Sequence, residues 1–228
     1  MMRVLAERLV RQGHPVLRFD YFGSGDAMGD DADADLEGWT TDLLTADSQL
    51  RERAGVDQTI WLGMRLGASV ALKASQQAPS GLKCLILWDP VIDGKRYLAH
   101  LRERHVAVLE SAFSVKQRPS PSQIALNPAN YLDEAIGAAV SPAMRQQLIT
   151  MSLRGAFSQS GGVPIIAVVE PESQDARDLD EALKACPGRA RVLPVQHGTD
   201  WTSAAAENSA LVPAQALMTL VKLTGEVA

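Results

Sequence analysis

Cysteine is almost missing from this chain: Cys84, in an apolar run, and Cys186, before Pro187, are the two thiols among 228 residues. Two such residues make neither a disulfide framework nor a metal-ligand spacing, so the sequence reads as a protein of a reducing compartment, the cytoplasm. Long apolar stretches are missing too. The start, Met1-Met2-Arg3-Val4-Leu5-Ala6-Glu7-Arg8, is interrupted by Glu7 and Arg8 before a signal-peptide core can form, and no run approaches the roughly 18 apolar residues of a membrane span. Basic charge is short, with Lys+Arg 22 against Asp+Glu 27, a net charge of -5 and no long basic run. That balance excludes a nucleic-acid or anionic-membrane partner and leaves a small molecule or another protein. Nothing in the sequence marks a cofactor.

What is present suffices for a core: 46% of the residues are hydrophobic and 21% charged, which fits one domain, or one domain carrying an insertion. Residues 3–12 read as a helix with Leu5 and Leu9 on its apolar face, stopped by Gly13 and Pro15. A short strand over 15–19 then runs into Asp20-Tyr21-Phe22-Gly23-Ser24-Gly25-Asp26, a turn at the kind of strand end that lines sites in open α/β sheets. Asp31, Asp33 and Asp35 have the spacing of the first ligands of a calcium loop. Leu36 stands where that loop needs glycine, however, and Asp42 where it needs a bidentate Glu, so the stretch reads as a solvated loop and not as a metal site. A helix over 39–54 follows, with Trp39, Leu43, Ala46, Leu50 and Ala54 on one stripe.

The most informative stretch is 59–74. Thr59-Ile60-Trp61-Leu62 reads as a strand, 63–67 as a tight Gly-x-x-x-Gly turn, and 68–74 as a helix, which together form the frame of a nucleophile elbow. Its centre is Arg65 instead of serine. A guanidinium stays protonated and cannot attack a carbonyl, so the motif argues for the fold and against the usual chemistry. Arg65 has two readings. Its stem packs on the sheet edge while the head reaches water or pairs with Asp20, Asp89 or Glu170; or, beside the N–H groups of a helix N-terminus, it clamps a carboxylate or phosphate.

Residues 82–91 read as a strand buried on both faces, ending in Asp89-Pro90. From 93 to 160 the chain changes character: a helix over 97–109, a break at Arg118-Pro119-Ser120-Pro121, and short helices opened by Asn127-Pro128 and Ser141-Pro142. These predict a helical lid insertion with His100 and His105 on its surface. The core resumes with a strand over 163–169, the polar run Glu170 to Asp175, a helix to about residue 185 and a strand over 190–195. His197-Gly198-Thr199-Asp200-Trp201-Thr202 and a last helix with Pro213 near its first turn complete it. The alternation predicts a three-layer α/β sandwich on a mostly parallel sheet, divided as core 1–92, lid 93–160 and core 161–228.

In this order of elements, Arg18-Phe19-Asp20-Tyr21-Phe22-Gly23-Ser24-Gly25-Asp26, the 63–67 turn, Trp88-Asp89-Pro90-Val91 and the late His197 resemble the α/β-hydrolase superfamily. The resemblance is to its serine-aminopeptidase-like members, including exosortase-associated hydrolases, some of which carry Arg-Leu-Gly in place of Ser-x-Gly. It implies that the nucleophile position falls on Arg65, that His197 takes the general-base position, and that Glu170, with Glu172 next, supplies the acid. Met64, Leu66, Tyr21, Phe22, Ser24 and Asp89 are then the expected surroundings of a bound ligand. An ordinary loop histidine and a solvated Glu170 are the plainer readings. Ser24 is the substitute nucleophile nearest to His197 in this scheme, although a turn serine explains it more simply, and Ser69 faces the layer under the sheet.

The resemblance also places further strands, and the loop with a second oxyanion donor, before the first helix, so the chain reads as N-terminally shortened. A third strand is missing between 15–19 and 59–62, and either a longer chain supplies it or those two strands close up and pair. The implied function is a catalytically impaired or non-catalytic binder of a small acidic or acyl ligand, or of a protein partner. The alternative is an active hydrolase of an ester, thioester or amide that uses His197 with water or an unusual nucleophile. An exposed sheet edge would also permit a homodimer.

Overall fold

Strand β2 (Leu82–Trp88) shows how the layers arise: Cys84, Ile86 and Trp88 join one apolar cluster while Leu85 and Leu87 join another, as a side-chain period of two requires. Strand β5 (Ile165–Val169) divides the same way, with Ile166 and Val168 on one face and Ile165, Ala167 and Val169 on the other. A sheet apolar on both faces must be covered on both. Helices α1 (Met2–Arg11) and α7 (Ala214–Val227) cover the first face through Leu5, Leu9, Leu217 and Leu220. Helices α2 (Leu36–Ala54), α3 (Leu66–Ala74) and α6 (Gln174–Lys184) cover the second through Leu43, Leu72 and Leu179.

The computed structural model describes residues 1–77, 80–112, 133–160, 162–184, 190–198, 201 and 213–228. Its main sheet is parallel throughout, in the order β1-β2-β5-β6, where β1 is Thr59–Met64 and β6 is Ala190–Pro194. The chain therefore has the α/β, parallel-sheet architecture that its sequence predicts. Between β2 and β5 lie α4 (Gly94–Ala112), a small antiparallel pair β3 (Glu134–Ala135) and β4 (Ala138–Ala139), and α5 (Pro142–Thr150), with α4 packed on α5. Ser141 caps α5 by accepting the Met144 N–H at 2.9 Å. The expected breaks at Arg118-Pro119-Ser120-Pro121 and Asn127-Pro128, as well as Cys186, Thr199, Asp200 and Thr202, lie outside the described residues.

Three expectations need correction. Residues 15–19 have no regular secondary structure and join no ladder, so the predicted strand is absent and direct pairing with β1 does not occur. A slot of about 500 Å³ separates the two, walled by Leu5 and Leu9 of α1 and by Leu43, Ala46 and Leu50 of α2, which hold the segment away from the edge. Helix α2 begins earlier than its apolar stripe suggests, because the Asp35 carboxylate accepts the N–H groups of Glu37 and Gly38 and caps it. Its buried face is also rotated, taking in Thr40 and Asp47. Finally, His105 is not on the surface: it is 7% exposed, and its Nδ1 accepts the Ile136 N–H at 3.0 Å, because this side of α4 lies under the β3–β4 turn. His100 is exposed.

Candidate functional site at the carboxyl edge

The end of β1 turns sharply into α3. Arg65, between them, has φ 51° and ψ -125°, a left-handed conformation that an L-residue adopts at a cost of about 1–3 kcal/mol and keeps only where its surroundings impose it. Here the Arg65 N–H donates to the Trp88 carbonyl at 2.9 Å, and the Ala68 N–H donates to the Arg65 carbonyl at 3.0 Å. Gly63 allows the helix to fold back this closely, since a Cβ on it would stand 2.5 Å from the Ala68 Cα. Asp89, at the end of β2, has the same kind of strain, with φ 43°, and its N–H donates to the Val168 carbonyl. Two strained residues thus stand side by side at the sheet's carboxyl edge.

Arg65 is tethered. Its Nη1 donates to the Asp89 carbonyl and to Asp175 Oδ2, each at 3.1 Å, and its guanidinium carbon lies 6.0 Å from the centre of the Trp201 ring. The other Asp175 oxygen accepts from Arg96 Nη2 at 2.6 Å. Arg96 also pairs with Asp178, which Arg154 approaches at 3.3 Å. A chain of alternating charges therefore joins the elbow to α4 and α6. Asp89 is among the partners expected for Arg65, through its main chain; Asp20 instead accepts the Asp26 N–H, and Asp175 takes its place.

The Asp89 carboxylate is the junction of the site. It is 3% exposed; Oδ1 accepts the Glu170 N–H at 2.9 Å, while Oδ2 accepts the Trp201 indole N–H at 2.5 Å and lies 2.9 Å from His197 Nε2. Burial pushes its pKa up, but the bonds from His197, Trp201 and Glu170 more than offset this and hold it below the usual carboxylate range. Glu170 Oε2 accepts the main-chain N–H groups of His197 and Gly198 at 2.9 and 3.1 Å and lies 3.1 Å from His197 Nδ1. The His197 side chain is 0% exposed and packs edge-on against Trp88 and Trp201. Each ring nitrogen of His197 thus faces a carboxylate.

The structure brings together Arg65, Asp89, Glu170 and His197, with Met64 and Leu66 flanking the turn. Tyr21, Phe22 and Ser24 are organised around α2 instead. Tyr21 stacks on Trp39, and burial, with Asp42 beside it, pushes its phenol up to about 12. The Phe22 N–H donates to Asp42, and its ring is turned toward solvent. The Ser24 hydroxyl donates to the Tyr21 carbonyl at 2.8 Å, the bond of a turn serine. Ser69 is buried and donates to the Val91 carbonyl. Sequence reasoning missed Asp175, Arg96 and Asp178, whose pairings span a long separation, although Asp175 closes the polar run noted after β5. Among the described residues no cluster of His, Cys, Asp and Glu is arranged to hold a metal, and no helix is long and apolar enough to cross a membrane.

A family model described as serine aminopeptidase, S33, matches residues 1–147. Among curated protein sequences nothing matches. Among solved structures, Est1E from Butyrivibrio proteoclasticus, determined with ferulic acid bound, superposes with a TM-score of 0.67 at 15% identity, covering 99% of this chain and 82% of that one. A monoacylglycerol lipase from Paleococcus ferrophilus gives 0.59 at 13% identity, covering 99% and 88%. Likeness at such identities is one of fold, and the fold is that of α/β hydrolases. The sheet, the strained turn after β1 and the family match over well over half of its length agree: the chain belongs to the serine aminopeptidase, S33, family of α/β hydrolases.

Proposed function

We propose that this protein is a non-hydrolytic member of its family, with Arg65 in the position of the nucleophilic serine, and that it binds a small acidic or acyl ligand over that residue. The observation that carries the reading is the conformation of Arg65. A strained turn displays this side chain at the carboxyl edge, next to the start of α3, and the group displayed is a fixed cation. A guanidinium offers a planar fork for a carboxylate and has no lone pair with which to attack a carbonyl. Asp175 already accepts one hydrogen bond from Nη1 of that fork, which an entering carboxylate would take over.

His197 supports the same reading. A general base needs a ring nitrogen turned toward the attacking group, and both nitrogens here face carboxylates inside a buried cage. The test is turnover of p-nitrophenyl butyrate and labelling by a fluorophosphonate, alongside calorimetric titration with butyrate. The expected result is no turnover and no labelling, with saturable butyrate binding that Arg65→Ala removes. Turnover that disappears in His197→Ala overturns this reading. It would favour the second one, hydrolysis of an ester, thioester or amide by His197 with water or an unusual nucleophile, for which the close grouping of Asp89, Glu170 and His197 speaks.

A further inference from the structure

Resting on the reading of Arg65 as an anion clamp, we propose that Asp175 is a built-in competitor at that clamp: a carboxylate ligand of single charge enters by exchange with Asp175, and Arg96 retains the displaced side chain. Asp175 lies in the first turn of α6, where a carboxylate ordinarily serves the positive end of the helix. Here that end is served by Ser173, whose hydroxyl accepts the Ala176 N–H at 2.9 Å. Both Asp175 oxygens are left for guanidinium groups: Oδ2 accepts from Arg65 at 3.1 Å and Oδ1 from Arg96 at 2.6 Å. The Asp175 side chain is 23% exposed and that of Arg65 21%, so the pair that a ligand must separate is open to solvent. A carboxylate gripped between two arginines stands for the chemistry that Arg65 accepts.

The two bonds are unequal, and that makes the contact separable. The one to Arg96 is short for a charge-assisted hydrogen bond and the one to Arg65 long. Asp175 can therefore leave Arg65 and keep its closer partner, so no carboxylate is stranded without a cation. Arg96 is itself fixed in the first turn of α4, where its main-chain N–H donates to Asp93 at 2.9 Å. Charge favours exchange over addition. Arg65, Arg96 and Arg154 alternate with Asp175, Asp178 and Glu181 in one balanced chain of pairs, and the Asp89 and Glu170 carboxylates stand at the same edge. A second anion on Arg65 beside Asp175 would repel its neighbours, and a doubly charged phosphate would do so more strongly. Among the described residues the Arg65 Nε and Nη2 make no hydrogen bond, so a carboxylate that displaces Asp175 meets Nη1 and Nη2 together.

The test titrates the intact protein calorimetrically with butyrate and with methyl phosphate at about pH 8, where the phosphate is doubly charged. Asp175→Asn, which removes the charge and keeps the shape, should bind butyrate about tenfold more tightly than the parent, and methyl phosphate should bind the parent about tenfold more weakly than butyrate does. Asp175→Ser is the second variant should the first fail to fold. Arg96→Gln leaves Asp175 to Arg65 alone, so it should weaken butyrate binding about threefold or more in the parent and have no effect in Asp175→Asn, because Arg96 acts on the ligand only through Asp175. Without any ligand, phenylglyoxal should modify Arg65 faster in Asp175→Asn, read by peptide mass spectrometry. Unchanged affinity in Asp175→Asn overturns the proposal, as does weaker binding, which would seat the ligand on the Nε–Nη2 edge with Asp175 merely orienting the guanidinium. An Arg96→Gln loss of equal size in both backgrounds overturns it too, as do phosphate binding that equals butyrate binding and an unchanged rate of Arg65 modification. All of these leave Arg65 as a clamp. Absence of butyrate binding in every variant overturns the clamp reading itself, and the exchange with it.

Discussion

At Gly63 an added methyl would stand 2.5 Å from the Ala68 Cα and 2.7 Å from the Gly67 carbonyl oxygen, whereas at Gly67 it would meet nothing within 4 Å. The two glycines that frame the elbow look equivalent in the sequence and are not equivalent in space. Gly63→Ala is predicted to destabilise the fold by about 1–3 kcal/mol in urea titration, and Gly67→Ala, inside a helix, to be neutral or stabilising by up to about 1 kcal/mol. Equal effects would contradict the close approach of α3 to β1. Asp89 provides a second prediction, this time about pH. In the folded protein the bonds from His197, Trp201 and Glu170 outweigh burial and hold its carboxyl below the ordinary aspartate range, so it adds stability above that range, and the contribution is lost as pH falls through the folded pKa. Acid unfolding followed by tryptophan fluorescence should therefore be shallower below about pH 4 in Asp89→Asn than in the parent. An unchanged acid limb would show that the Asp89 bonds are not what holds its pKa down.

Among the elements, α2 separates what the sequence discloses from what it hides. Its end at Gly55 and its apolar residue Leu43 are legible from pattern alone. The burial of Asp47 is not, because an aspartate on a helix reads as a solvated residue. In space it accepts from Arg51 at 2.7 Å, from the Thr59 hydroxyl at 2.5 Å and from the Trp61 indole at 2.8 Å, tying α2 to β1. Asp47→Ala would leave those donors without their acceptor and is predicted to cost about 3–5 kcal/mol, against about 1 kcal/mol for loss of the cap in Asp35→Ala, both measured by urea unfolding. The 59–74 strand, turn and helix were legible because each local preference agrees with the final structure. Residues 15–19 misled for the opposite reason: their composition suits a strand, but a strand exists only where a neighbour supplies its ladder. Within the candidate site, Arg65 stands out from the frame of its turn, and Glu170 and His197 enter only through the family resemblance, while Asp175 became visible only once α6 was placed against the elbow.

In the molecule as a whole, the sheet divides the core into two apolar layers, and the site lies where the strands of that sheet end. Asp89 collects ties from far apart in the chain: from Arg65, 24 residues away, from Glu170, 81 away, and from Trp201, 112 away. Contacts of such separation form late, since each closes a long loop of unfolded chain. Trp201→Phe should accordingly raise the unfolding rate and leave the folding rate nearly unchanged in stopped-flow denaturant jumps. A marked slowing of folding would place this cage in the folding nucleus instead. The order of assembly also affects the protein's working life. A chain only partly folded, whether emerging from synthesis or locally opened, can already have its first strand and Arg65, but it acquires the surrounding cage only when the last strand is in register, so the readiness of this site reports that the whole sheet has been built.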